Sequence, residues 1–274
     1  MQCNRRKVWM MALIVWTASL GAASATERRF AYTYEPEVLP AGAAEFEQWV
    51  TLRAGRSDQA GKANFTRWDI REEFEYGVTD RYSAALYLNG RHDSYKDTDT
   101  GVSTSEFKFR GVSLENRYML WNPAERAVGL TLYLEPRYSG EEAALEQKII
   151  IGQRHGDWKW ALNLVHETEW NLHEHETEGE LELDFGLSRQ MARRWSLGCE
   201  FRVVSEIEEY REWKHVALFL GTTVNYTCER WWATLAVQPQ IYGRNFDGNP
   251  DGNRNLVLDN HERVEVRLLI GISF

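Results

Sequence analysis

From Glu45 onward the chain repeats one design: segments of ten to sixteen residues in which apolar and polar side chains alternate, separated by turn-forming clusters. The last segment is the clearest, with Val264, Val266, Leu268, Ile270, Ile272 and Phe274 interleaved with Arg263, Glu265, Arg267, Gly271 and Ser273. Leu181, Leu183, Phe185 and Leu187 alternate in the same way with Glu180, Glu182 and Asp184, as do Trp195, Leu197, Cys199, Phe201 and Val203 with Arg194, Glu200 and Arg202. A period of two places the apolar set on one face of a strand and the charged set on the other, and helical spacing explains none of these segments. The pattern predicts twelve strands, near 44–54, 64–78, 81–92, 105–121, 127–138, 144–155, 158–170, 179–189, 194–206, 213–226, 231–242 and 260–274.

The connections alternate in length. Tight turns at Thr79-Asp80, Asn122-Pro123, Gly156-Asp157, Gln190 to Arg193 and Thr227 to Arg230 interleave with longer polar loops. Short turns on one side and long loops on the other are the arrangement of an up-and-down barrel that crosses a membrane, and an even strand count puts both termini on the short-turn side. Aromatic placement agrees. Trp121, Trp158, Trp160, Trp195, Tyr226 and Trp231 flank the short turns, and Tyr138, Trp170, Tyr210, Trp213 and Tyr242 gather at the long-loop ends, as two interfacial girdles require. The core of a soluble sandwich also concentrates large rings, but it does not place its tryptophans at strand ends. Two positions break the pattern. The phase changes around Gly111, between Phe107 and Phe109 and the later Val112, Leu114, Tyr118 and Leu120, which suggests a bulge. Glu72 falls among the outward positions Trp68, Ile70, Phe74 and Tyr76, where a carboxylate in lipid is costly.

The fold class read from the sequence is therefore all-β, an antiparallel up-and-down transmembrane β-barrel over residues 44–274. The chain has 274 residues, and its 12 Trp, 12 Tyr and 11 Phe suit one large β domain. Its mean hydropathy is negative, because a barrel's polar face dilutes its apolar one. The one long apolar run, Val8 to Leu20, follows Arg5, Arg6 and Lys7 and ends in Ala23-Ser24-Ala25, which marks residues 1–25 as a secretory signal peptide and leaves 26–43 as a periplasmic N-terminal segment. Cys3 lies upstream of the run, where a lipidated cysteine would not be. Signal removal leaves 29 basic against 41 acidic side chains and changes the formal charge from -9 to -12. Such an acidic chain is no nucleic-acid binder, which needs a basic face. Pairing through a loop near Glu208 places Cys199 opposite Phe219 and leaves Cys228 roughly 30 Å further along, too far for a disulfide.

The alternating apolar positions that end in Phe274 resemble the signal by which Gram-negative outer-membrane barrels are recognised by the barrel assembly machinery. The stretches Phe46-Glu47-Gln48-Trp49 and Arg71-Glu72-Glu73-Phe74-Glu75-Tyr76-Gly77-Val78-Thr79-Asp80 resemble an uncharacterised bacterial outer-membrane barrel family, one similar to the transport barrels linked to phenol-degradation pathways. The resemblance spans most of the mature chain. It implies a bacterial outer-membrane location, contact with outer-membrane lipid and a transport role, and it carries little chemistry.

Candidate chemistry concentrates on the inward face. Arg67, Asp69, Arg71, Glu73 and Glu75 occupy successive same-face positions, and Arg110, Glu115, Arg117, Glu135, Arg137, Glu146, Lys148, Arg154, Glu200, Arg202, Glu265 and Arg267 are expected to share the lumen. The transport candidates among them are Arg67, Asp69, Arg71, Glu73, Arg110, Arg117, Glu135, Arg137, Glu200, Arg202 and Arg267. Two compatible readings follow: a salt-bridged, closed structural barrel, or a narrow passive channel whose planar guanidinium groups guide small solutes, anionic or aromatic ones among them. An outer-rim lipid-modifying enzyme is a third reading. It would use His166, which has no adjacent serine but could be approached by Ser205. His173-Glu174-His175-Glu176 could ligate a transition metal if its loop is extended, and otherwise is a solvated loop. Asp247-Gly248-Asn249-Pro250-Asp251-Gly252 matches the front half of a calcium loop, but Leu258 stands at the closing acidic position and Asp, Asn, Gly and Pro also make ordinary turns. There is no phosphate-cradling glycine motif or zinc-type cysteine pair, so no cofactor or metal is expected. Deleting Phe274 is expected to lower the amount of inserted barrel in outer-membrane fractions through loss of the assembly signal, and normal levels of the truncated chain would contradict that role.

Overall fold

The structure, a computed structural model, describes residues 27–56, 61–246 and 255–274. The expected signal peptide lies outside the described residues. Twelve strands follow one another: β1 (Ala44–Ala54), β2 (Lys62–Thr79), β3 (Tyr82–Asp97), β4 (Ser103–Trp121), β5 (Gly129–Tyr138), β6 (Glu142–His155), β7 (Trp158–Asn171), β8 (Thr177–Ala192), β9 (Trp195–Glu208), β10 (Glu212–Thr227), β11 (Trp231–Asn245) and β12 (Val264–Ser273). Each pairs antiparallel with its neighbours in the chain, and β1 pairs with β12, so the sheet is a closed barrel without an edge. Closure is what allows a sheet to sit in lipid, where an unpaired backbone N–H or C=O has no water to turn to. The seam is held over the full length of β1, from Glu45 opposite Ser273 to Ala54 opposite Val264, with the Phe274 N–H donating to the Ala44 carbonyl.

The alternation does what the sequence predicts. Phe74, Tyr76, Leu86, Leu114, Leu132, Leu164, Leu197, Leu235 and Ile272 all face outward and are exposed, while their neighbours Glu73, Glu75, Tyr87, Glu115, Asn163 and Glu200 are buried inside. At the short-turn end Trp195, Tyr226 and Trp231 stack as a girdle, with ring centroids 4.8 and 5.1 Å apart. The phase change in β4 is a bulge: Leu88 faces Val112 and Gly90 faces Phe109, so Arg110 and Gly111 together stand opposite Asn89. Gly111 has φ of 90° there, and a Cβ on it would lie 2.1 Å from the Tyr138 carbonyl oxygen. Glu72 does face outward as its register requires, directly opposite Gln48 of β1 and Leu88 of β3.

Several expectations are corrected. The connections at 139–141 and 209–211 are three-residue turns rather than longer loops, because the flanking strands run further than their apolar stretches do. The last strand begins at Val264 rather than near 260, since residues 255–263 fold as a loop whose Val257 and Leu258 are buried. Cys199 stands opposite Thr222 rather than Phe219, because the turn is centred at Tyr210 and a bulge between Trp213 and His215 shifts the register of β10 by one more residue. Both described cysteines are free.

Alternation does not foretell where the N-terminal segment packs. Residues 28–39 lie inside the lumen and the chain is exposed again at 40–42: Phe30, Ala31 and Thr33 are fully buried, and Tyr32 and Tyr34 nearly so. The segment rises from the short-turn end, bends at 31–33 and returns along the inner wall to β1. Glycines make room for it. A Cβ at Gly186 would meet the Phe30 ring at 2.7 Å, one at Gly129 or Gly152 would meet Pro36 at 2.7 or 2.9 Å, and one at Gly77 would meet the Pro40 carbonyl at 2.0 Å. The apolar core is accordingly a lumen cluster, with Tyr32 and Tyr34 packed among Trp49, Tyr87, Tyr133, Ile150, Trp232 and Leu269.

Gly111→Val places a β-branched side chain in the left-handed region and against a carbonyl. Such strain costs about 1–3 kcal/mol, so the variant is expected to lose its folded-barrel gel mobility at a lower temperature than wild type; an unchanged transition would remove the bulge from the account.

Candidate functional site: the charged lumen

All eleven transport candidates lie on the inward face, and the structure sorts them into three levels. Around the bend of the N-terminal segment, Glu200 of β9 accepts the backbone N–H groups of Ala31, Tyr32 and Thr33 at 2.9, 2.8 and 2.7 Å. Three successive N–H groups converging on one carboxylate form a backbone nest. Asn163 of β7 reads the next residue from both sides, accepting from the Tyr34 N–H at 2.6 Å and donating to its carbonyl at 2.9 Å. Arg117 of β4 donates to the carbonyls of Glu35, at 2.8 Å, and Glu37. The Arg28 carbonyl accepts from Asn225 and Thr234, and Lys159 pairs with Glu35 and Glu37 at 3.2 Å each. The plug is thus held by polar side chains from β4, β7, β9, β10 and β11, each satisfying a backbone or carboxylate group that burial would otherwise leave unpaired.

Above the bend, cations and rings interleave. The Tyr32 ring lies between the guanidinium groups of Arg202 and Arg267, 4.0 and 3.8 Å from its centroid. Arg71 covers Tyr87 at 4.1 Å and bonds Glu135 at 2.6 Å. Arg202 also reaches Glu182 at 2.7 Å and Glu265 at 3.2 Å, and Arg267 donates to Thr51 and to the Ala31 carbonyl. Stacking and bidentate pairing both favour arginine over lysine at such positions.

Towards the long-loop end the lumen opens into a cavity of about 170 Å³. Its wall carries Arg53, Arg71, Arg91, Arg110, Arg137 and Arg267 against Asp69, Glu135, Glu146 and Glu167, so cations outnumber anions. Asp69 bridges Arg53 and Arg91 at 2.9 and 3.1 Å, Arg137 spans Glu167 and Glu169, Arg110 pairs with Glu142, and Arg67 forks onto Asp93 at 2.8 and 3.1 Å. Glu73 sits near the opposite end, buried beside Glu47 and Glu75. A second cavity of about 300 Å³, on the short-turn side of the plug, is lined by Arg28, Glu35, Glu47, Glu75, Arg117 and Lys159 among others.

The long-loop mouth is narrowed by residues 255–263. Gln240 holds this loop reciprocally, accepting from the Val257 N–H at 2.7 Å and donating to its carbonyl at 3.0 Å. His261 meets His215 of β10 with Nε2 atoms 2.7 Å apart, one ring donating to the other, and burial together with the neighbouring His215 holds the His261 imidazole well below its ordinary range. The pairing carries no alternation signal, since His261 lies in a loop.

The other sequence candidates are not assembled into sites. His166 faces outward and bonds the Tyr210 hydroxyl at 2.9 Å. Ser205 lies two strands away across Leu181, its hydroxyl donating to the His215 carbonyl. Asn171 folds the His173-Glu174-His175 stretch into a turn by accepting from the His173 and Glu174 N–H groups. The Asp247 to Gly252 stretch lies outside the described residues. Sequence reasoning passed over Tyr32, Tyr34, Arg28 and Trp49; the alternation of Phe30, Tyr32 and Tyr34 just ahead of β1 was the available signal.

With this geometry in place, comparison with known proteins is informative. The sequence matches the family of unknown function DUF6662 over residues 22–150 and 151–274. The chain belongs to that family. No curated protein matches it. Among solved structures it is similar to the COG4313 outer membrane channel from Pseudomonas putida F1, at 12% identity over 87% of this chain and 97% of that one, with a TM-score of 0.59. It is also similar to the β domain of the Bordetella autotransporter BrkA, at 9% identity over 85% of this chain and 100% of that one, TM-score 0.54. The NanC porin follows at 11% identity over 84% and 98%, TM-score 0.50. At these identities the likeness establishes a fold, that of the outer-membrane barrels.

Removing the Glu200 carboxylate leaves three buried N–H groups without an acceptor, at about 1–3 kcal/mol each. Glu200→Ala is therefore expected to raise the rate of tryptic cleavage at Arg28 and Arg29 in the detergent-solubilised barrel by more than about tenfold. Equal protection in variant and wild type would show that the nest does not hold the segment.

Proposed function

We propose that the protein is a passive outer-membrane channel for small anionic solutes, closed in the described state by its own N-terminal segment. The observation that carries this reading is the arginine excess around the cavity at the long-loop end. Guanidinium groups there offer planar, multi-donor faces to carboxylate or phosphate, and acidic partners fix their geometry. Transport requires the segment at 27–43 to shift, and its fastening by discrete hydrogen bonds rather than by strand pairing supports a release that leaves the wall intact.

The same plug also supports a second reading, a structural barrel with a permanently closed lumen. A lipid-modifying enzyme has no comparable support, because His166 and Ser205 are not in contact. Planar-bilayer recording separates the first two. Glu200→Ala is expected to show conductance steps with higher open probability than wild type and a preference for chloride over potassium, and Arg91→Gln with Arg137→Gln should reduce that preference severalfold. Absence of steps in both wild type and Glu200→Ala would overturn the channel and leave the closed barrel.

A further inference from the structure

We propose that Glu47, Glu73 and Glu75 bind a hard divalent cation, Ca²⁺ or Mg²⁺, inside the short-turn half of the lumen. Register brings these groups together: Glu47 on β1 stands directly opposite Glu73 on β2, and Glu45 directly opposite Glu75. Like charges in facing positions destabilise a sheet unless something lies between them. Oxygens of Glu47, Glu73 and Glu75 come within 4.8 Å of one another, and each of the three side chains is buried.

The available donors are unevenly shared. Glu45 accepts from the Trp232 indole and the Ser273 hydroxyl, and Glu47 from Arg28 at 3.3 Å and the Trp49 indole at 2.8 Å. Glu75 has Arg117 at 3.6 Å and the Ser83 hydroxyl beside it, and its Oε1 accepts no hydrogen bond. Glu73 has less still. It is 1% exposed, its Oε2 accepts no hydrogen bond, and among the described residues no Arg, Lys or His stands within ion-pair distance of it. Arg28 acts on Glu73 only from beyond ion-pair distance and is paired with Glu47, and a buried carboxylate with neither a donor nor an ion-paired countercharge is the costly case. A cation coordinated by its oxygens supplies what the protein does not.

The donor set selects the cation's class. It consists of carboxylate oxygens with no thiolate or imidazole, which suits hard, oxygen-seeking ions. Access is provided by the cavity of about 300 Å³ on the short-turn side of the plug, whose wall includes Glu47 and Glu75 and which leaves room for water in the remaining coordination positions. The binding groups come from β1 and β2, next to the β1–β12 seam, so the ion would tie together strands at the place where the barrel closes.

Equilibrium dialysis of the detergent-solubilised full chain after chelator treatment, with Ca²⁺ or Mg²⁺ alone as the probe, tests the site. One ion per chain is expected in wild type, with affinity reduced more than tenfold in Glu73→Gln and in Glu47→Gln, and unchanged in the exposed-loop control Glu174→Gln. Wild type should also keep its folded gel mobility to a higher temperature when the ion is added, and Glu73→Gln should not respond. Lack of stoichiometric binding in wild type would overturn the proposal and leave the three carboxyl groups sharing protons, and so would undiminished binding in both lumen variants. Should one variant fail to fold, the other decides. Neither result depends on whether the lumen conducts.

Discussion

A strand has two faces, and closing twelve of them into a cylinder gives those faces unlike surroundings. Backbone groups within the wall are committed chiefly to neighbouring strands, so side chains mediate between protein and surroundings. Outward, that demands apolar residues. Inward, it collects many charged side chains into a confined space, and each must find a partner there or stay costly. The ion-pair ladders, the cation–ring stacks and the nest around Glu200 are all answers to that one demand.

The N-terminal segment belongs to the same solution. Its backbone brings donors and acceptors to wall residues that have none nearby: Glu200 and Asn163 are satisfied by residues 31–34 and not by other strands. Its rings turn cations that would otherwise face water into stacked ones, as Tyr32 does for Arg202 and Arg267. Most of these contacts place a charged or polar group within a few ångströms of an aromatic face or an amide.

How much of this could be read in the sequence divides along one line. Alternation is a property of a single strand, and it located all twelve strands, the bulge at Gly111 and the inward placement of all eleven candidate side chains. The segment at 27–43 has no pairing partner, the alternation of Phe30, Tyr32 and Tyr34 does not say which surface it meets, and its destination depends on Gly77, Gly129, Gly152 and Gly186, which lie on four different strands and carry no side chain to signal a contact. The same holds for His215 and His261, 46 residues apart and joined only because residues 255–263 turn inward. Local rules gave the wall. What occupies the wall is set by contacts between distant residues, and the opposed carboxylates of β1 and β2 emerge only when the register is known.

Those four glycines also limit what the chain can change. The notches at Gly77, Gly129, Gly152 and Gly186 belong to strands β2, β5, β6 and β8, and Gly129 stands directly opposite Gly152. At each of them an added Cβ would come within 3 Å of Phe30, Pro36 or Pro40. Alternation alone would accept any small residue at such inward positions, so a substitution to which the wall is indifferent is felt by the segment inside it.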